Sequence, residues 1–272
     1  MLRLAIDGHE VQVYTGGRAF DPARPVIAFV HGAQHDHSVW GLQARYLAHH
    51  GFSVLAPDLP GHGRSRGEAL PSVERIAAWL WRVLDAAGAR RAHLVGHSMG
   101  ALAVLEAAGA APGRTDSVAL LGVASPMRVS PALLAAARED EPRAIDMINA
   151  WSHWSIAHAP GYPGPGFSVA GQNRRLMQRQ RPGTLLTDFT ACNAYDGGLA
   201  RARALRCPVL LVLGERDMMT PPKAARALID AVAGARVVEV PECGHALMAE
   251  RPDTVLAALR GFLAALPDGA VR

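Results

Sequence analysis

The 272-residue sequence predicts an α/β fold with a mostly parallel central sheet flanked by helices. Short, apolar, β-branched segments alternate with helical segments from residue 25 to residue 124, and the alternation resumes at residue 207. The intervening residues 125–204 are rich in Trp, Gly, Pro and Arg and contain no segment typical of a central strand. We therefore predict a core domain formed by residues 1–124 and 205–272, with residues 125–204 inserted as a mainly helical cap.

The first half of the core domain reads as a hairpin followed by βα units. LRLAI and EVQVY alternate polar and apolar residues around Asp7-Gly8, a favourable hairpin turn. The remaining elements are predicted in this order: strand PVIAFVHG, helix 39–50, strand FSVLAPD, helix 72–87, strand RAHLVGH, helix 99–108 and strand SVALLGVA. The short apolar strands favour a sheet that is buried on both faces.

The second half of the core domain continues the same pattern. Its predicted elements are strand CPVLLVLGERD, helix 222–233, strand ARVVEVPECGH and a final helix 252–266. Within the cap, PALLAAARED and NRRLMQRQ are helical patches. We expect a folded cap, because structureless excursions of this length are uncommon in compact domains.

Composition excludes several classes of protein. Half of the residues are hydrophobic, 19% are charged, and the net charge is only +4, with scattered arginines and a single lysine. We expect no nucleic-acid partner, because no basic run with interleaved aromatic residues is present. We also expect no signal peptide and no membrane span. The three cysteines have no C-x-x-C spacing, so we expect free thiols at Cys192, Cys207 and Cys243. Free thiols are typical of the cytoplasm, where we expect the protein to be located. We further expect a monomer or a homodimer.

The segment LVGHSMGALAVLEAAG, residues 94–109, predicts a nucleophile. The predicted strand RAHLVGH ends at His97, Ser98 follows, and the predicted helix begins at Met99, with Gly96 and Gly100 on either side of the serine. In a Gly-x-Ser-x-Gly junction the serine lies on a sharp turn that pushes its hydroxyl above the sheet. The N–H groups of the helix that begins there favour negative charge in the same space.

A nucleophilic serine needs a base, and the base needs an acid that orients it. In VLGERDMMTP, Asp217 follows a predicted strand, and in VPECGHALMAERP, His245 lies between the last strand and the last helix. Ligands of open parallel sheets bind beyond the carboxyl ends of the strands, so the sheet is expected to bring Ser98, Asp217 and His245 together. Glu215 is the nearest rival acid.

These motifs, in this order, resemble the α/β-hydrolase fold family. The resemblance rests on His31-Gly32, DLPGHGRS at 58–65, GHSMG at 96–100, GERD at 214–217 and GH at 244–245. It implies that Ser98 is the nucleophile, that His245 is the base and then the acid, and that Asp217 orients His245. It further implies that the backbone N–H groups of Ala33 and Met99 form the oxyanion hole, and that no cofactor is needed.

The function expected from this resemblance is hydrolysis of a small carboxylic ester through an acyl-enzyme. An alternative is carbon–carbon hydrolysis of aromatic ring-cleavage products, although Ala246 stands where that subfamily typically has tryptophan. Lactone, thioester, peptide and cofactor-free perhydrolysis substrates remain open. Family members that act on epoxides or halides use an aspartate at the position of Ser98. An alternative of another class is a small-molecule receptor that keeps the triad and turns over slowly.

Further polar and aromatic residues have competing interpretations. His35-Asp36-His37 is expected on a solvated loop without a metal, His97 is expected to be buried support, and the Gly61–Gly63 motif is too short for a dinucleotide site. Four cap residues are expected to line either an apolar acyl pocket or the core of the cap: Trp151, Trp154, Met147 and Met177. We expect the cap to set specificity and not the chemistry.

Overall fold

One eight-stranded sheet organises the part of the chain, residues 1–154 and 168–266, that the computed structural model describes. Its strands are β1 (Leu2–Ile6), β2 (His9–Tyr14), β3 (Val26–Val30), β4 (Ser53–Pro57), β5 (Ala92–His97), β6 (Thr115–Leu121), β7 (Val209–Gly214) and β8 (Arg236–Val240). Their order in the sheet is β1-β2-β4-β3-β5-β6-β7-β8. β1 and β2 form the predicted hairpin, β2 pairs antiparallel with β4, and all other pairs are parallel. The predicted fold class is confirmed.

Helices cover both faces of the sheet. The core domain contains six of the described helices, and α4 to α8 are given below. The six are α1 (Gly41–His49), α2 (Val73–Ala86), α3 (Met99–Ala110), α9 (Arg226–Ala231), α10 (Leu247–Glu250) and α11 (Pro252–Ala264). Side chains of a strand alternate between faces, so β3 sends Ala28 towards α2 and α3 and Phe29 towards α1 and α11. Two apolar cores result, one on each face, which explains why the inner strands β3 and β7 are apolar throughout.

Two predicted helices are divided in the structure, and one helix is new. The predicted helix 39–50 begins as a 3₁₀ turn, His37–Trp40, whose Asp36 side chain accepts a hydrogen bond from Ser38 N, and α1 follows. The predicted helix 222–233 is a 3₁₀ turn, Pro222–Ala225, followed by α9. The short helix α10 was not predicted, because four residues are too few for a helical period to show in the sequence.

Five helices lie between β6 and β7 in the described part of the chain. They are α4 (Pro131–Glu139), α5 (Glu141–Ser152), α6 (Val169–Gln178), α7 (Thr184–Ala194) and α8 (Gly198–Ala204). We call α4 to α7 the cap helices, and they share an apolar core around Leu133, Ile145 and Phe189. Residues 155–167 of the predicted cap and 267–272 of the predicted core lie outside the described residues.

The last helix of the predicted cap packs on the core domain instead. Tyr195 and Arg201 both donate hydrogen bonds to Glu106 on α3, at 2.7 and 2.9 Å. The backbone of α8 passes so close to α3 that an added Cβ on Gly109 would lie 2.9 Å from the side chain of Arg201. α8 ends at Ala204, the predicted end of the cap, and three residues separate it from α7.

None of the helices in residues 1–154 and 168–266 is long and apolar enough to cross a membrane. The three cysteines are free thiols, as expected. Burial raises the pKa of the Cys207 thiol to about 11, and burial also raises the pKa values of Cys192 and Cys243. All three thiols are therefore protonated at neutral pH.

Candidate functional site

Ser98 lies on the strained turn between β5 and α3. Its backbone is in a left-handed region, with φ 55° and ψ −119°, which is rare for a residue other than glycine. A Cβ on Gly96 would overlap the carbonyl of Gly100, and a Cβ on Gly100 would overlap the carbonyl of Val30. Glycine is thus required on both sides, because strand and helix approach within backbone contact. Ser98 itself remains partly exposed.

His245 and Asp217 meet beyond the ends of neighbouring strands. Asp217 follows β7 and His245 follows β8, and these strands pair in parallel. His245 Nδ1 lies 2.7 Å from Asp217 Oδ2, and both residues are buried. Because an ionised carboxylate can only accept, Nδ1 carries a proton, and in the neutral imidazole Nε2 keeps its lone pair.

The carboxylate of Asp217 is held by four hydrogen bonds. Oδ1 accepts from the backbone N–H groups of Met219 and Thr220, each at 2.8 Å. Oδ2 accepts from His245 and from the hydroxyl of Thr220, at 2.7 Å. Burial alone would raise the pKa of Asp217, but the charge of His245 and these hydrogen bonds lower it to about 2. The carboxylate is therefore ionised at neutral pH.

The backbone around His245 is also fixed. Its carbonyl accepts a hydrogen bond from His97 Nε2 at 2.9 Å, and its N–H donates to the carbonyl of Ser152 at 2.7 Å. Burial lowers the pKa of His97, so this ring is neutral and Nε2 carries its one proton. The buried carboxylate of Glu250 accepts from the N–H groups of Gly244 and Trp154, at 3.1 and 2.8 Å. The loop that bears His245 is thereby tied to the end of cap helix α5.

Glu215, the rival acid, faces away from this site. Its Oε2 accepts from the backbone N–H of Glu242 at 2.9 Å, and its Oε1 lies 3.3 Å from the guanidinium of Arg216. The structure therefore places Asp217, and not Glu215, beside the imidazole of His245.

The two residues expected to supply the oxyanion hole lie next to Ser98. Met99 is the first residue of α3, where backbone N–H groups have no partner within the helix. Ala33 follows β3, and the adjacent Gly32 is so close that a Cβ added there would lie 3.3 Å from Ser98 Cβ. The N–H groups of both residues therefore belong to the two backbone segments that border the serine.

Ser98 and His245 share the wall of a cavity of about 190 Å³. No hydrogen bond joins the Ser98 hydroxyl to the ring of His245 within the described residues. The other lining residues are Ala33, Met127, Arg128, Val129, Ser130, Leu133, Trp151, Phe189, Cys192, Met218, Met219 and Thr220. The wall is mixed polar and apolar, and it combines the segments that follow β6 and β7 with cap helices α4, α5 and α7.

Of the four cap residues expected at a pocket, Trp151 alone lies on the wall of the cavity that contains Ser98. Met177 is buried in the apolar core of the cap, and Met147 packs against that core. The ring of Trp154 lies over the guanidinium of Arg216, 5.2 Å from its carbon. The alternative interpretation, packing within the cap, therefore describes Met147 and Met177.

A second cavity, of about 1020 Å³, lies on another side of His245. His35, His97, Leu176 and Met248 are among its lining residues, and Ser98 is not. Size alone would favour this cavity as the substrate site. The expected reaction, however, needs the nucleophile Ser98 and the base His245 on the wall of one cavity. The smaller cavity is the one that meets this requirement.

The expectation of a solvated loop at His35-Asp36-His37 is wrong for Asp36, which is 2% exposed. One ligand atom from each of Asp36, His37 and Asp58 lies within 4.8 Å of the others. These atoms are already engaged: Asp36 Oδ2 accepts from Arg179 at 2.6 Å, and Asp58 Oδ1 accepts from His37 Nδ1 at 2.6 Å. The cluster binds the loop after β3 to the cap and to the loop after β4.

The fold agrees with comparison to known proteins. The model of the Alpha/beta hydrolase family matches residues 27–258. The chain belongs to the alpha/beta hydrolase family. The resemblance inferred from its motifs is confirmed, and the protein is an enzyme of this hydrolase family.

Relatives of this alpha/beta hydrolase carry several hydrolase names. A putative carbamate hydrolase RutD of Azorhizobium caulinodans is 30% identical over 77% of this chain and 80% of its own length. A pimeloyl-[acyl-carrier protein] methyl ester esterase of Methylococcus capsulatus is 31% identical over 79% and 84%. The crystal structure of the enol-lactonase from Burkholderia xenovorans LB400 covers 97% of this chain and 100% of its own, with a TM-score of 0.84 and 25% identity.

Sequence reasoning missed the residues that support the site of this hydrolase. The sequence does contain a signal for the contact between Thr220 and Asp217. A hydroxyl three residues after an aspartate and next to a proline, here Pro221, is typical of a local side-chain turn. No sequence signal indicates the contacts of Glu250, since its partners depend on the path of the cap. The same is true of Asp188 on α7, which contacts the loop after β3.

Proposed function

We propose that this alpha/beta hydrolase is a cofactor-free serine hydrolase that cleaves small carboxylic esters. The observation that carries the proposal is the 2.7 Å contact between Asp217 Oδ2 and His245 Nδ1, with His245 and Ser98 on one cavity wall. It supports the roles implied by the motifs: Ser98 as nucleophile, His245 as base and Asp217 as the residue that fixes the imidazole tautomer.

Acylation follows from the position of these groups. Ser98 Oγ attacks the ester carbonyl carbon while His245 Nε2 takes the hydroxyl proton. The carbonyl electrons move to oxygen, and the oxyanion accepts hydrogen bonds from the N–H groups of Ala33 and Met99. When the carbonyl re-forms, the bond to the alcohol oxygen breaks and His245 Nε2 gives its proton to that oxygen. The acyl group remains on Ser98.

Deacylation repeats these steps with water. His245 Nε2 takes a proton from water, and the resulting hydroxide attacks the acyl carbon. The same N–H groups stabilise the second oxyanion. The bond to Ser98 Oγ then breaks, Oγ takes the proton back from His245, and the carboxylic acid leaves. Asp217 stays ionised throughout, because its pKa of about 2 is far below neutral pH.

The cavity supports a small substrate. A dry cavity of about 150 Å³ in another protein accommodates benzene, and the cavity at Ser98 is about 190 Å³. A short or compact acyl group therefore fits between Trp151, Leu133 and Phe189. The names of relatives support the bond type, since one is called a methyl ester esterase and another an enol-lactonase. A lactone is an internal ester and reacts by the same steps.

A panel of p-nitrophenyl esters from acetate to decanoate tests this function. We expect kcat/KM to be highest for about two to six acyl carbons and to fall for longer chains, because the cavity is small. A fluorophosphonate should abolish turnover of every ester. Absence of ester turnover in a folded, phosphonate-labelled protein would contradict the ester assignment, and a single burst without multiple turnover would favour the receptor alternative.

Two tryptophans provide a matched test of the cavity wall. Trp151→Ala should open the cavity and shift the preference towards longer acyl chains by at least about two carbons, because it removes a large ring from the wall. Trp154→Ala should leave the preference unchanged, since this ring packs on Arg216 outside the cavity. The measurement is kcat/KM across the ester panel, with the rate of phosphonate labelling as a control for an intact Ser98. Equal shifts in both variants would contradict the assigned wall.

A further inference from the structure

The loop that follows β3 carries a strained residue next to an expected oxyanion donor. We call residues 32–35 the oxyanion loop, because Ala33 lies in it. Gln34 has φ +57°, in the left-handed region, and its side chain is buried. A 3.3 Å hydrogen bond from His35 N to the carbonyl of Gly32 closes the turn, and the same carbonyl lies 2.9 Å from His31 Nδ1. A non-glycine residue keeps such a conformation when the surrounding structure over-determines it.

The groups that hold Gln34 all come from the cap helices. Its backbone N–H donates to Asp188 Oδ2 on α7 at 2.8 Å. Its side-chain amide donates to Glu141 Oε1 on α5 and to the carbonyl of Met177 on α6, each at 3.2 Å. Three cap helices therefore fix one strained residue of the core domain.

Asp188 is itself held in place by a buried charge. Its Oδ2 also accepts from His62 Nε2 at 2.8 Å, and both side chains are 1% exposed. His62 Nδ1 donates to the carbonyl of Pro60 at 3.0 Å, so both ring nitrogens are donors. Burial alone would lower the pKa of His62, but the charge of Asp188 and the hydrogen bond to it raise the pKa above its usual value. The imidazolium thus keeps the carboxylate in one position.

We propose that Asp188 is a positioning residue for the oxyanion hole. By accepting the N–H of Gln34, it fixes the peptide between Ala33 and Gln34 and hence the orientation of the Ala33 residue, whose own N–H then faces the reacting oxygen. The inference rests on the proposed serine hydrolase function. It also changes the expected role of the cap, which on this view contributes to the chemical step as well as to specificity.

Other bonds between cap and core provide a matched control. Arg181, just after α6, donates to the carbonyls of Gly67 and Ser65 at 2.8 and 3.0 Å and does not contact the oxyanion loop. Arg181→Met therefore loosens the same interface without touching Gln34. If Asp188 acted only by docking the cap, both replacements would have similar effects on activity.

The test compares Asp188→Leu, Asp188→Asn and Arg181→Met on a short-chain ester. Asp188→Leu should lower kcat about 10- to 100-fold with KM changed less than about threefold, because a displaced donor costs less than the loss of about 100- to 1,000-fold for a deleted one. Asp188→Asn should recover part of kcat, since its amide oxygen can still accept from Gln34 N, although the neutral side chain no longer stabilises the charge of His62. Arg181→Met should stay within about threefold of the unmodified protein.

A second readout reports on the oxyanion hole directly. Ser98 Oγ is expected to add to the carbonyl carbon of an aryl trifluoromethyl ketone, and the ketone oxygen then becomes an oxyanion. Its inhibition constant should rise in Asp188→Leu by the same factor as kcat/KM falls, while binding of the matching methyl ketone should not change. Equal losses in Asp188→Leu and Arg181→Met, or unchanged ketone inhibition in Asp188→Leu, would overturn the proposal.

If Asp188→Leu does not fold, the double variant His62→Leu/Asp188→Leu decides the question. It replaces the buried ion pair with apolar side chains, a change that is often neutral for stability, and it removes the acceptor of the Gln34 N–H. It should lower kcat and ketone affinity together, and unchanged values would overturn the proposal. An unmodified protein that is neither labelled by a fluorophosphonate nor inhibited by the ketone would instead contradict the proposed function.

Discussion

Ser98→Ala is expected to abolish ester turnover, with a loss of about 10⁶-fold in kcat, the scale seen when a triad serine is removed from a serine protease. The reason is that no other hydroxyl occupies the strained turn between β5 and α3. A fluorophosphonate should label the unmodified protein at Ser98, identified by peptide mass spectrometry, and should not label the variant.

The fold should survive this replacement, because the left-handed backbone at residue 98 is held by close contact between β5 and α3. Circular dichroism and the thermal midpoint of both proteins provide the control. Ser98→Thr is a second control, which keeps the hydroxyl but adds a methyl group to the strained turn. Turnover by Ser98→Ala at a normal rate would end the nucleophile assignment, whatever the other variants show.

Asp217→Asn is expected to lower kcat by about 10⁴-fold, the cost of the same change in a serine protease triad. The structure explains why the amide cannot adapt. Two backbone N–H groups, those of Met219 and Thr220, face Oδ1 and hold the amide oxygen there. The amide nitrogen then faces His245 Nδ1 and donates to it. The imidazole proton moves to Nε2, which can no longer accept the proton of Ser98.

The control for Asp217→Asn is Glu215→Gln, which should stay within about threefold of the unmodified protein. Its amide oxygen can still accept from the N–H of Glu242, and Glu215 does not contact the imidazole. In the unmodified protein kcat/KM should fall on the acid side, because a protonated imidazole cannot act as base. Near-normal turnover in Asp217→Asn together with an inactive Glu215→Gln would show that the acid is misassigned.

Asp217 should also contribute to stability with a defined pH dependence. Its pKa in the folded protein is about 2, below the usual value of about 4 in an unfolded chain. The contribution is therefore present above about pH 4 and is lost as the pH falls towards 2.

The arrangement of the core domain was predictable because its signals are local. Each strand of the parallel sheet is a short apolar segment, and each of Ser98, Asp217 and His245 follows such a segment. Parallel strands place all their carboxyl ends at one edge, so chain order was enough to predict that these residues meet. The choice between Asp217 and Glu215, two residues apart, was less secure and depended on which side chain the loop turns inward.

The cap was predictable only as a class of structure. Its composition indicated helices, but four cap residues with similar apolar character were indistinguishable in the sequence, and only Trp151 lies on the wall of the cavity with Ser98. An apolar side chain has the same signature whether it lines a cavity or fills a core, because both environments exclude water.

The sequence by itself determined the parallel sheet, the serine turn and the order of the three expected catalytic residues, since these follow from the local spacing of glycine, apolar and polar residues. The tertiary structure alone decided which groups support them. Gln34 and Asp188 are 154 residues apart, and their contact depends on where the cap helices settle on the core. A buried N–H must find an acceptor, but its identity is set by packing, and packing joins segments that share no pattern in the sequence.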